Sequence, residues 1–256
     1  MSEIPILTII TALLTVSVRL SGLMLFAPFF GNVAIPARIK AGLVLALTLL
    51  LFPAVGKGIG TYAMSDWPIL IITEFLIGVG MGLATNLVFE AIQLAGSMLS
   101  IQMGYSLANI LDPQTQVDTT VIPLFYQSIV MLLFLRMDVH YWILRAITNS
   151  FLYMPPGTTH LSSLFTFSVI NTGTELFGLG VQIAAPVLSA TLVADIVLGL
   201  LAKASPQIPV MVIGPGVKSI LGILILIATL KYWPGLFHNL FMKSVADGER
   251  LLHIAR

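Results

Sequence analysis

Hydrophobic residues run along this chain in long blocks, and the blocks predict helices of membrane-crossing character. A helix that spans a bilayer needs about 20 apolar residues. Ile4–Ala27 is such a run. Ile39–Val55 is somewhat short, and Pro68–Leu99 is long and carries Glu74 and Glu90. Val121–Leu135 and Val139–Leu152 are both short and are split by Arg136 and Asp138. Leu164–Leu201 exceeds one crossing and contains Pro186, which predicts two helices or one kinked helix. Ile208–Tyr232 fits one crossing, with a break expected at Gly214-Pro215-Gly216. Phe237–Ile254 reads as an amphipathic helix with Leu240, Phe241, Val245 and Leu252 on one side and Lys243 and Arg250 on the other. The pattern predicts an all-α, polytopic membrane-type bundle of about six hydrophobic segments. Apolar helices buried against partner subunits would give the same signal.

Between the runs lie turn signals at Pro28–Pro36, Gly56–Gly60, Asp112-Pro113-Gln114 and Pro155-Pro156-Gly157. The N-terminal run carries Glu3 instead of a basic leader and holds Arg19 inside it, so it reads as a retained first helix and not a cleaved signal. Residues 1–256 read as one helical domain: N-terminal helices over 4–103, a polar loop over 104–120, C-terminal helices over 121–235 and the amphipathic helix over 236–256.

Composition strengthens the membrane reading. The chain is 57% hydrophobic and 9% charged, whereas soluble domains are about 25% charged. Twelve basic and eleven acidic side chains give a net charge of +1, with no basic stripe for nucleic acid. The absence of cysteine excludes disulfides, thiolate metal sites and a thiol nucleophile. Positive charge is spread over Arg38, Lys40, Lys57, Arg136, Arg145, Lys203 and the C-terminal tail, so it sets no clear orientation.

Candidate chemistry is sparse. No nucleophile elbow, zinc-helix pair or phosphate-binding loop occurs, and the four histidines lie in separate regions. No catalytic residue, cofactor or metal is expected. Arg19, Glu74, Glu90, Glu175, Asp195 and Lys203 sit within or at the ends of apolar runs, where a charge needs a partner or water. A proton or ion relay and register-fixing salt bridges both fit. The second is preferred, because the acids do not share one helical face. Asp195 and Lys203 do share one, but lie about 12 Å apart along the axis, too far to pair. Gly78 and Gly82 permit close helix approach, within the chain or between subunits, as do Gly173, Gly178 and Gly180. The stretch Met103–Thr120 is mixed and polar, and reads either as a plain loop or as a functional one.

These residues carry a resemblance that runs essentially end to end. Arg19, Pro28, Gly31, Ile35-Pro36 and Lys40 are followed by Glu74, Gly78, Gly82, Gly96, Gln102, Gly104 and Asp112-Pro113. The most specific part is Leu201–Gln207, then Val212-Ile213-Gly214 and Lys218. The chain resembles the FliR/type III secretion export-gate family. It departs from the pattern at Lys203, where Arg is usual, at Pro209 and Met211, and at Pro215, which falls one position early.

The resemblance implies a non-enzymatic subunit of a hetero-oligomeric flagellar export gate in the bacterial inner (cell) membrane, within the flagellar basal body. There it would form a channel for unfolded flagellar proteins with P- and Q-type subunits, beside a B-type switch protein and an A-type export protein. It further implies a pore plug that includes Met103, Gly104, Tyr105, Ser106, Leu107, Asn109, Ile110, Leu111, Asp112 and Pro113. Arg19, Glu74 and Lys203 would be structural charges, and Gly78, Gly82, Pro206 and Gln207 subunit-packing residues. A virulence-type secretion gate is the near alternative. A secondary transporter using Glu74, Glu90 or Asp195, or a polytopic membrane enzyme, are the rivals from other classes.

Overall fold

A computed structural model describes residues 6–31, 35–56, 59–60, 62–63, 65–105, 121–157, 163–207 and 209–254, with backbone alone at Leu7, 163–172 and 251–254. Among these residues there are eight helices and no strand: α1 (Ile6–Phe26), α2 (Ala37–Val55), α3 (Trp67–Gln102), α4 (Val121–Arg136), α5 (Val139–Tyr153), α6 (Ser163–Ala204), α7 (Val210–Leu230) and α8 (Trp233–Ile254). The chain is all-α and polytopic in character. Five helices are long and apolar enough to cross a membrane, or six if the broken pair α4–α5 counts as one span.

Of the two forms expected for the Leu164–Leu201 run, the single helix is found: it lies in one 42-residue helix, about 63 Å long, with Pro186 inside it. Two other expectations need correction. The break expected at Gly214-Pro215-Gly216 is absent, because α7 continues through Pro215. Its first turn is set by the Pro209 carbonyl, which accepts from the Val212 and Ile213 amides. In apolar surroundings, opening the helix would strand several backbone groups, whereas Pro215 forfeits a single bond. Finally, α8 starts at Trp233 and not Phe237. Pro234 sits in the first turn, where a missing N–H costs nothing, and the Trp233 and Phe237 rings meet edge-on at 5.5 Å.

The chain divides into two compact units. The first holds residues 1–88, 134–173 and 240–256, and the second 89–133 and 174–239.

In the first unit, α1 and the leading part of α3 touch backbone to backbone. A Cβ on Gly22 would collide with the Phe75 carbonyl, one on Gly78 with the Arg19 carbonyl, and one on Gly82 with the Leu23 carbonyl at 2.9 Å. The close approach that the glycine stripe allows is thus made within the chain. Val16, Leu20 and Leu23 of α1, Ile77 and Met81 of α3, and Ile143 and Ile147 of α5 are buried. α2 packs on α1. Ser244 of α8 donates to the Ala84 carbonyl at 2.7 Å, and Phe241 meets Phe134 edge-on.

At the centre of this unit Arg19 and Glu74 form an ion pair. Arg19 Nε donates to Glu74 Oε2 at 2.7 Å and Nη2 lies 2.6 Å from the same oxygen, with both side chains fully shielded from solvent. Nη1 donates to Ser150 Oγ at 2.8 Å, and Nη2 to the Met154 carbonyl at 3.1 Å. The guanidinium lies over the Phe151 ring, 3.9 Å from its centroid. Ser150 Oγ in turn donates a hydrogen bond to the Ile147 carbonyl. α1, α3 and α5 are joined through one cation. Nearby, Tyr62 donates to the Pro156 carbonyl, and burial, then the charge of Glu74, pushes its phenol pKa above the ordinary value. It therefore stays a donor.

In the second unit, Gly96 admits Pro123, whose Cα would stand 2.6 Å from an added Cβ, and Gly180 admits Leu94. Tyr126 stacks on Trp233 at 4.8 Å, and Val130, Val187 and Leu226 are buried.

Gly78→Val should sharply reduce folded protein, because the α1 backbone cannot yield. Gly42→Ala should be neutral or better, since nothing lies within 4 Å of its Cβ and alanine is favoured over glycine by about 1 kcal/mol in a helix. Melting curves in detergent check both. Glu74→Gln or Arg19→Met should each destabilise by roughly 3–5 kcal/mol, because each strands a buried charge or its partners. The double change Arg19→Met with Glu74→Met should cost less than the sum of the two single changes. A double-mutant cycle by denaturant unfolding gives the comparison.

Candidate functional site

The C-terminal end of α3 leads into the polar stretch, and within the second unit α6 and α7 hold it. The helix closes by turns in which the Met103 amide bonds the Leu99 carbonyl and the Tyr105 amide bonds the Ser100 carbonyl. Gly104 takes φ 88°, which an L side chain resists. An added Cβ there would lie 2.8 Å from Pro215 Cβ, so conformation and space both call for glycine.

Four further contacts fix this corner. Gln102 Nε2 donates to Asp195 Oδ2 at 2.8 Å. Asp195 Oδ1 pairs with Lys218 Nζ at 2.9 Å; Lys218 is 17% and Asp195 41% exposed. Ser219 Oγ donates to the Met103 carbonyl at 3.0 Å, satisfying one of the carbonyls a helix end leaves open. The Met103 side chain is buried against Gly222, where a Cβ would come within 2.7 Å of its methyl carbon. The pair is partly wet, so water screens it more than Arg19–Glu74.

Of the plug residues expected from sequence, Met103, Gly104 and Tyr105 belong to this corner. Ser106, Leu107, Asn109, Ile110, Leu111, Asp112 and Pro113 lie outside the described residues. Arg19, Glu74, Gly78 and Gly82 gather in the first unit. Lys203 is exposed in the last turn of α6, where a cation suits the helix dipole, and Pro206 and Gln207 are exposed in the turn that follows.

The link from Asp195 to Lys218 was missed by reading each helix alone. Its signal was present: the two charges stand at nearly equal distances on either side of the Ser205–Gln207 turn, so an antiparallel hairpin brings them together.

Among the described residues no three histidines or acids gather as a metal site. In the first unit a groove of about 480 Å³ runs beside α1 and α2. Ser17, Ser21, Met24, Val44 and Phe75 line it with Lys40 its one charge, so it does not converge polar groups on a substrate.

Residues 10–244 match the model of the family described as bacterial export proteins, family 1. The flagellar biosynthetic protein FliR of Pectobacterium carotovorum subsp. carotovorum is 31% identical over 224 residues, spanning 88% of this chain and 86% of its own length. The protein of that name from Bacillus subtilis (strain 168) is 27% identical over 250 residues, spanning 96% of each chain. That from Escherichia coli (strain K12) is 27% identical over 214 residues, spanning 83% and 81%. On this match, which takes in nearly all of both units, the chain belongs to the bacterial export proteins, family 1.

Proposed function

We propose that the chain is a subunit of the flagellar type III export gate, forming with P- and Q-type subunits the channel through which unfolded flagellar proteins cross the bacterial inner membrane. A B-type switch protein and an A-type export protein are its neighbours in the basal body. The observation that carries this reading is the family match with relatives named flagellar biosynthetic proteins, across nearly the whole chain.

Two physical features support it. Only 11% of the spanning window of α2 and 17% of that of α7 are buried within the chain, and Met211, Val212, Ile220 and Leu224 lie exposed. Such faces require lipid or sister helices. α3 and α6, about 54 and 63 Å long by their 36 and 42 residues, exceed the roughly 30 Å of a hydrocarbon core. Helices of that length suit an assembly more than a simple set of crossings.

The role is gating by packing. The mixed polar stretch Met103–Thr120 obstructs the resting channel and is displaced when substrate passes. Its leading residues Met103 and Gly104 rest on α7, and Gln102 just before them bonds Asp195 of α6, a placement that gives the obstruction a fixed point. Arg19 and Glu74 hold the helices in register, and the exposed Pro206 and Gln207 turn is available to a partner.

Co-expression with P- and Q-type subunits should yield a complex that purifies together. A stable solitary chain or small homo-oligomer, with no affinity for those subunits, would overturn the reading. Shortening the loop within 106–120 should raise ion leakage through the reconstituted complex. Unchanged leakage from a fully assembled complex would rule out the plug.

A further inference from the structure

Two apolar grooves of the first unit meet at one cation. The larger, of about 480 Å³, runs between α1 and α2 along Met24, Leu25, Ala41, Val44 and Leu45, with Phe75 of α3 behind it. The smaller, of about 340 Å³, lies among Phe29, Phe30, Ile39 and Leu43. Both volumes fall in the range of ligand sites, about 300–1,000 Å³. Met24 and Lys40 line both grooves, and Lys40 is the one charged residue in either. The serines leave the larger groove apolar, because Ser17 Oγ donates to the Leu14 carbonyl and Ser21 Oγ to the Val18 carbonyl.

Lys40 is held where the grooves meet. Its ammonium donates to the Gly31 carbonyl at 3.1 Å, which leaves two of its three N–H groups for a ligand. Gly31 is itself fixed, its amide bonded to the Ala27 carbonyl at 2.7 Å. The charge here is unbalanced. No acidic residue occurs between Glu3 and Asp66, while Arg38 and Lys40 both fall in the first turn of α2, facing the positive end of its dipole. Among the described residues neither cation has a carboxylate partner. The 19 residues of α2 span about 28 Å, close to the roughly 30 Å of a hydrocarbon core, so the Lys40 end falls at the level of the headgroups.

We propose that this hairpin is a binding site for an anionic diacyl phospholipid. The acidic headgroup meets the Lys40 ammonium, Arg38 adds to the positive field, and the two acyl chains follow the two grooves. Basic pockets between apolar helices recognise acidic headgroups in this way. A free phosphate would leave both grooves empty. A sister helix is a single rod and fits one groove, not two that meet at a point. Bound lipid would brace α2, of which the chain itself buries only 11%. The site belongs to this chain's own surface and does not depend on the export-gate reading.

The full chain is purified in detergent, alone and co-expressed with P- and Q-type subunits, and titrated with phosphatidylglycerol or phosphatidylcholine. Retained lipid is counted by native mass spectrometry. Both preparations should hold phosphatidylglycerol several-fold more tightly than phosphatidylcholine. Lys40→Gln should erase that preference, and Lys40→Arg should keep most of it. Ala41→Phe keeps both cations and puts a ring into the larger groove, so it should weaken the binding of both lipids. Equal binding of the two lipids by the wild-type chain, or an undiminished preference in Lys40→Gln, overturns the site. Unchanged binding in Ala41→Phe does the same, and this variant decides the matter if Lys40→Gln does not fold. If the chain alone takes phosphatidylglycerol and the assembled complex does not, a sister helix fills the groove and the lipid site falls. If no complex forms, it is the export-gate reading that fails, and the titration of the chain alone still decides for or against the lipid.

Discussion

The architecture of the first unit depends on how an arginine is buried in an apolar helix bundle. Arg19 cannot reach water, and its charge is met by Glu74 while two further N–H groups are met by Ser150 and the Met154 carbonyl. That geometry needs α1 and α3 unusually close. The closeness comes from Gly78, whose missing side chain is occupied by the carbonyl of Arg19 itself. Charge pair and glycine stripe are therefore one device: the residue that must be neutralised sits against the glycine that lets its partner come near, one turn away on α3. A side chain at Gly78 would push α1 outward and lengthen the ion contact. A neutral residue at Glu74 would leave the closeness without its reason.

The second unit uses the same materials to a different end. Here too glycine admits close contact, at Gly96, Gly180 and Gly222, and an ion pair crosses between helices. But Asp195 remains 41% exposed, whereas Arg19 and Glu74 are sealed. A sealed pair is strongly destabilised by loss of either member, and so it behaves as permanent. A half-exposed pair is worth about 1 kcal/mol or less and exchanges with water. Permanence suits a scaffold, and exchange suits a corner that holds the start of a loop.

Much of this was legible in the sequence, for physical reasons that also mark where legibility stops. Long apolar runs force helices, because a backbone away from water must satisfy itself, so seven of the eight helix positions follow the runs closely. Arg136 and Asp138 mark the α4–α5 break, and Asp138 does take left-handed backbone at φ 56°. Proline and glycine misled where their aqueous meaning was applied to an apolar helix: Pro215 stays helical, and Pro234 opens α8 instead of preceding it. The pairing of Arg19 with Glu74 was readable as a need for partners but not as a partner, since 55 residues separate them. Function was beyond local chemistry altogether. No local motif named it, and the family match across nearly the whole chain supplied what the motifs did not.

The glycines divide into two classes, and the division bears on what surrounds the molecule. Gly22, Gly78, Gly82, Gly96, Gly180 and Gly222 are filled by this chain's own backbone or side chains. Gly42 of α2, Gly178 and Gly199 of α6 and Gly216 of α7 have nothing within 4 Å of an added Cβ. In lipid, apolar area alone gives helices little reason to associate, because tails are as apolar as leucine; close packing at small residues and polar contacts supply the preference. The open glycines lie on helices whose apolar faces are the least covered by the chain. A solitary bundle would gain nothing from keeping those faces smooth, and alanine would favour its helices by about 1 kcal/mol at each position. Partner helices that approach closely would give those glycines a use. The same observation thus separates a scaffold that is complete in itself from a subunit shaped for neighbours, and it favours the subunit.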